Sequence, residues 1–116
     1  MSKTAILIVE DEGVVAADLA VKLEQLGYEV AGSAESGEEA VALVERMHPE
    51  LVLMDILLKG QMDGIEAAEA IRRAHDVPVV YLTAHSDTAT LDRAKISGPF
   101  GYILKPFELR ELATQI

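Results

Sequence analysis

Residues 51–54, Leu-Val-Leu-Met, form an unbroken apolar run that ends on an acid, Asp55. A run of this kind is a strand buried on both faces, because a strand with one wet face alternates apolar with polar residues. Both faces must then be covered, and the elements that cover them are crossover helices joining parallel strands. The rest of the chain supplies both parts. Residues 4–9 and 77–82 are similar apolar runs, and 28–33 and 100–104 are further strand candidates. Helical stretches separate them. Val15, Leu19, Leu23 and Leu26 share one face of the first, and Gly27 stops it. Ser36 and Glu39 read as a capping box that opens the second, whose Ala40, Val44 and Met47 are expected to point inward before Pro49 ends it. An Ala-rich helix is predicted over about residues 65–75, after a loop holding Gly60 and Gly64. A weaker helix is predicted over 89–96, where Ser97-Gly98-Pro99 breaks it, and a last one over 107–116. Five strands alternating with five helices imply an α/β fold, a parallel sheet with helices on both faces.

The length of 116 residues suits one domain spanning 1–116, and a composition that is half hydrophobic can fill a core. The last helix has no stop signal, so a truncated fifth helix of a longer protein is expected. The absence of cysteine excludes disulfides, thiolate metal sites and cysteine nucleophiles. A net charge of -10 repels nucleic-acid phosphates, and 4% aromatic residues with no Trp leave no platform for stacked bases. Direct nucleic-acid binding by this segment is therefore not expected. No apolar stretch approaches the roughly 20 residues that cross a bilayer. Met1-Ser2-Lys3 runs straight into the first strand. No leader is expected there, and the cytoplasm is the expected location.

In an open parallel sheet, ligands bind outside the carboxyl ends of the strands. The notable polar residues fall there. Glu10, Asp11 and Glu12 follow the first strand, Asp55 the third, Thr83 the fourth and Lys105 the fifth. A sheet ordered 2-1-3-4-5 would bring them to one pocket. Carboxylates crowded together repel one another, and a hard divalent cation bound through oxygen relieves this, as does the positive charge of Lys105. Three carboxylates suit Mg²⁺. A carboxylate is also a nucleophile toward phosphorus. The metal and Lys105 would neutralise charge on a transferring phosphoryl group, and the Thr83 hydroxyl would donate a hydrogen bond to it. Singly, each residue has an ordinary reading: helix caps after the first strand, a turn residue at Asp55, a cap at Thr83, a solvated charge at Lys105. Their coincidence at successive strand ends favours the common pocket.

At these residues the chain resembles the receiver domains of two-component response regulators. The matching pieces are Ile6-Leu7-Ile8-Val9-Glu10-Asp11-Glu12, Leu53-Met54-Asp55-Ile56, Met62-Asp63-Gly64, Leu82-Thr83-Ala84 and Lys105-Pro106, in the family's order and across essentially the whole chain. The resemblance implies a flavodoxin-like (βα)5 sandwich with strand order 2-1-3-4-5 and phosphotransfer from a sensor histidine kinase. It implies Asp55 as phosphoacceptor and a Mg²⁺ held by Glu10, Asp11, Asp55 and the backbone carbonyl of Leu57. Thr83 and Lys105 match the residues that contact the phosphoryl group. Thr83 and Tyr102 match a switch pair that changes the face formed by the fourth helix, fifth strand and fifth helix, a surface for partners or for a homodimer. Leu57 and His85 stand two positions after the acceptor and the threonine, where related receivers tune dephosphorylation. Such a domain catalyses its own phosphorylation and slow dephosphorylation without being an enzyme in the ordinary sense. The loop after Asp55 departs from the commonest form by one extra residue and by Lys59 where proline is usual. His48, His75 and His85 read as surface residues, with His85 near the pocket. The stretch Gly-Pro-Phe-Gly-Tyr-Ile-Leu-Lys-Pro-Phe resembles receivers found beside PAS sensor and histidine kinase modules.

Three other functions share parts of this pattern. A magnesium-dependent phosphohydrolase would carry D-x-D after the first strand, where this chain has Glu10-Asp11-Glu12. A flavin module would carry a Ser/Thr/Gly-rich loop there, since acids repel the flavin phosphate. A receiver that is never phosphorylated would have lost one of Asp55, Thr83 or Lys105, and all are present.

Overall fold

Every apolar run becomes a strand of one parallel sheet in the computed structural model, which describes residues 4–56, 58, 60–83 and 101–104, with Thr83 and 101–104 described by their backbone alone. The elements run β1 (Ala5–Val9), α1 (Gly13–Gln25), β2 (Glu29–Ala34), α2 (Gly37–Met47), β3 (Leu51–Asp55), α3 (Gly64–Ala74), β4 (Val79–Thr83) and β5 (Gly101–Leu104). The strand order is β2-β1-β3-β4-β5, as expected. The helices expected over 89–96 and 107–116 lie outside the described residues.

The period of two along each strand sorts the core into two layers. Leu7, Val9, Val52, Met54, Val79 and Tyr81 pack with α2 and α3 residues such as Leu43, Val44, Ala67 and Ile71. Ile6, Ile8, Leu51, Leu53, Val80 and Leu82 pack on the other side with Leu19 and Leu23 of α1. Both faces are covered, so the strands need no polar alternation.

The ends of the elements follow local chemistry. Gly27 stops α1 with φ +93°, a conformation that glycine adopts without steric penalty. β4 begins at Val79 rather than Val77, because Pro78 has no N–H to give the ladder; its carbonyl still accepts from Val52 N–H at 3.0 Å. β1 and β2 shift register between Ile6 and Leu7, the partners passing from Val30 to Gly32. Two expectations for α2 need correction. The Ser36 side chain caps the helix by accepting from Glu39 N–H, but the Glu39 carboxylate accepts from Glu35 N–H rather than from Ser36, so the box is displaced by a residue. Met47 does not enter the core and is 43% exposed. It lies in the last turn of α2 over the edge strand, its Sδ 3.1 Å from where a side chain on Gly32 would begin. The helix ends there, with His48 in the left-handed region just before Pro49.

Candidate functional site

Three acids converge at the carboxyl end of the sheet. Asp55 is the last residue of β3, next in alternation after Leu51 and Leu53, so it belongs to the α1 side. Glu10 continues β1 in the same alternation after Ile6 and Ile8, and its N–H still donates to Ala34 on β2 at 3.0 Å. β1 and β3 are direct neighbours, with Val9 opposite Met54, so the two acids must lie side by side. Asp11 follows at the turn into α1. One carboxylate oxygen from each of Glu10, Asp11 and Asp55 lies within 4.8 Å of the others.

Burial makes this arrangement costly without a counter-charge. Glu10 is 2% exposed and Asp55 5% exposed, while Asp11 is half-buried. Asp55 is thus sunk in the floor of the site rather than set on its rim. Glu10 has polar interactions, yet its Oε2 atom is buried and takes no hydrogen bond among the described residues. Three convergent oxygen donors with no nitrogen or sulfur are the set a hard cation such as Mg²⁺ selects. The group fits the expected metal. The reading of the acidic run as helix caps does not hold at the capping position: Glu12 stands at the N-cap of α1 and its side chain makes no capping hydrogen bond.

The peptide of the acceptor is fixed from two sides. Ile56 N–H donates to Leu82 on β4 at 3.2 Å, and Gly64 N–H returns to the Ile56 carbonyl at 2.8 Å, closing the intervening loop. Gly64 approaches so closely that a Cβ there would overlap the Asp55 carbonyl oxygen. A full capping box of Asp63 and Glu66 then launches α3. The D-x-x-E spacing was present in the sequence as a signal for that cap, whereas the contact between Gly64 and Asp55 had none.

The other expected site residues divide. Thr83 ends β4 one step beyond Leu82, the partner of Asp55, so its backbone is at the same edge of the pocket. Tyr102 lies in β5 opposite Tyr81, and Leu104 opposite Thr83. The side chains of Thr83 and Tyr102, and all of Leu57, His85 and Lys105, lie outside the described residues. His48 is exposed and His75 half-buried, as surface residues should be. Their rings meet edge to face at 6.2 Å, a contact between the ends of α2 and α3 that their sequence positions do not announce.

The family model for the response regulator receiver domain matches residues 6–116. The chain belongs to the response regulator receiver domain family. The receiver is 41% identical over 111 residues to the transcriptional regulatory protein PdtaR of Mycobacterium tuberculosis, covering 96% of this chain and 54% of that protein. It spans about half the length of the curated relatives it matches. Among solved structures it resembles the signal receiver domain of a modulated diguanylate cyclase from Desulfovibrio desulfuricans G20, with a TM-score of 0.89, 40% identity and coverage of 96% of this chain and 88% of that one. It also resembles the N-terminal domain of a response regulator/sensory box/GGDEF protein from Carboxydothermus hydrogenoformans, with a TM-score of 0.86, 39% identity and coverage of 96% and 89%. Both support the flavodoxin-like architecture. No helix among the described residues is long and apolar enough to cross a membrane.

Proposed function

We propose that this receiver accepts a phosphoryl group from a sensor histidine kinase onto Asp55, in a Mg²⁺-dependent reaction, and relays the signal through a change at the face of the fourth helix, β5 and the fifth helix. The observation that carries the reading is the convergence of Glu10, Asp11 and Asp55 at the carboxyl end of the sheet. In the transfer, an Asp55 carboxylate oxygen forms the bond to phosphorus as the bond from phosphorus to the kinase histidine nitrogen breaks. Glu10 and Asp11, with Asp55 and the Leu57 carbonyl, would hold the cation. When bound, Mg²⁺ supplies neutralising charge to the phosphoryl oxygens and to the crowded carboxylates. Lys105 contributes a second positive charge and Thr83 a hydroxyl donor. Burial of Asp55 keeps bulk water from the acyl phosphate, with Leu57 and His85 setting what access remains.

The switch pairs Thr83 with Tyr102, and the face it alters would serve a downstream partner or a second copy of the chain. Neither nucleic acid nor membrane is a partner of this segment in this reading, and the cytoplasm is its place. The relatives include a transcriptional regulator and receivers joined to cyclase and sensory modules. The output is therefore assigned to a portion outside this chain. The deciding test is incubation with acetyl phosphate and Mg²⁺, followed by mass analysis. One phosphoryl group on Asp55 is expected, absent in Asp55→Asn and absent when EDTA replaces the metal. Undiminished labelling of the Asn variant would overturn the assignment.

A further inference from the structure

The loop between β3 and α3 departs from its family's common form, and the structure shows what holds it. Its closing end is tied by Gly64 to the Ile56 carbonyl. Its middle is tied by a residue 24 positions earlier: Met62 N–H donates to Oε1 of Glu38 at 3.1 Å. Glu38 stands in the first turn of α2, where the helix dipole favours a negative charge, with Ser36 capping the same turn. The other oxygen of the carboxylate faces Gly60, whose Cβ, if present, would lie 3.1 Å from Oε2. Gly60 has φ +100°, so the loop turns there in a conformation that side chains resist. Gly37 completes the seat. A Cβ on it would lie 3.0 Å from Met62 Cγ and 3.0 Å from Ala67 Cβ, so the bare glycine is what lets Met62 settle against the core. Gly37, Glu38, Gly60 and Met62 thus form one matched contact between α2 and the loop.

We propose that Glu38 is a positioning residue for the phosphoacceptor site: by accepting the Met62 N–H it sets the course of the loop that leaves the sheet at Asp55 and returns to it where Gly64 binds the Ile56 carbonyl. This deepens the phosphoacceptor reading and rests on it. Glu38 touches neither the acids nor the phosphoryl group. Because the carboxylate is exposed, its hydrogen bond competes with water and adds little to overall stability. Its effect falls on geometry. Groups that orient ligating atoms at a metal site typically change affinity or activity by about 10–100-fold when removed.

The test compares Glu38→Ala with Glu38→Gln in the full chain. The amide oxygen of Gln can still accept the Met62 N–H, and Ala cannot. Three quantities are read: the exchange protection of the Met62 amide by NMR, Mg²⁺ affinity by calorimetry, and the initial rate of labelling by acetyl phosphate. In Glu38→Ala we expect lost protection at Met62, and Mg²⁺ affinity and labelling each about tenfold weaker. The melting temperature should stay within a few degrees of wild type. Glu38→Gln should restore most of all three. Wild-type metal affinity and labelling in Glu38→Ala would overturn the proposal, as would equal impairment in the Gln variant. A loss of labelling that merely tracks an increased unfolded fraction would also overturn it. If the wild-type chain takes no label, the phosphoacceptor reading falls, while Met62 protection and Mg²⁺ affinity still decide whether Glu38 sets the loop.

Discussion

Asp11→Ala should make the metal-free protein more stable and the metal-loaded protein comparatively less so. In the wild type, Asp11 has two carboxylate neighbours, Glu10 and Asp55, with oxygens within 4.8 Å. Two unit charges at this separation repel by about 3 kcal/mol at an effective dielectric of about 20, and by about 1 kcal/mol in water. Asp11 is half-buried, so solvent screening places each repulsion toward the lower figure. Removing one charge relieves two such repulsions, roughly 2 kcal/mol. The lost contacts of a short, half-exposed side chain offset about 0.5 kcal/mol of that. A net gain of roughly 1.5 kcal/mol corresponds to a rise in Tm of about 6 °C for a domain of this size. Metal reverses the order. A free Mg²⁺ concentration about 100 times Kd stabilises the wild type by about 2.7 kcal/mol, and a variant lacking one of the carboxylates gains much less at the same concentration. Thermal melts in EDTA and in excess Mg²⁺ should therefore cross: variant above wild type without metal, wild type above variant with it. A variant that melts several degrees below wild type in EDTA would refute the electrostatic reasoning. Unchanged Mg²⁺ affinity would refute Asp11 as a ligand.

Gly64→Ala should destabilise the domain by about 3 kcal/mol, the upper end of ordinary overpacking, because the new Cβ would lie 2.8 Å from both Asp55 C and Ile56 Cα, which are backbone atoms that cannot rotate away. Its Tm should fall by about 10 °C or more, and a fall under two or so degrees would show that the close approach is tolerated. Leu57→Asn should quicken loss of the phosphoryl group, since Leu offers an attacking water no hydrogen bond, while Mg²⁺ affinity stays level because the expected ligand is a backbone carbonyl. Decay of the labelled form after removal of acetyl phosphate measures this, and a rate at or below wild type would show that another residue limits water access. Phosphorylation should shift the amide signals of Tyr102 and of residues 89–96 as well as those of the pocket. Shifts confined to the pocket would rule out the Thr83–Tyr102 switch.

Much of this protein can be read along the chain. A strand buried on both faces has to be continuously apolar, so the runs around Leu7, Leu53 and Val80 were visible as strands without any tertiary knowledge. Their boundaries moved where a local donor was missing, as at Pro78, or by a residue where a helix began, as at Gly64. The acid site was legible for a related reason. In a parallel sheet all strands end on the same side, so residues that follow separate strands must become neighbours. What the chain alone did not disclose depends on how elements separated in sequence come to rest against each other. Met47 satisfies the helical period of α2, yet α2 lies over the sheet edge, and its final turn overhangs Gly32 instead of entering the core. Gly64 reads as a turn glycine, and only the packing of α3 against β3 makes it the residue that must lack a side chain beside Asp55. Nothing in the sequence around Glu38 marked it out. Its role against Met62 exists only because α2 and the β3–α3 loop are brought together in space. Periodicity records which face of an element is buried. It carries no information on which atom of a distant loop will meet that element's end, and that was decided by tertiary packing.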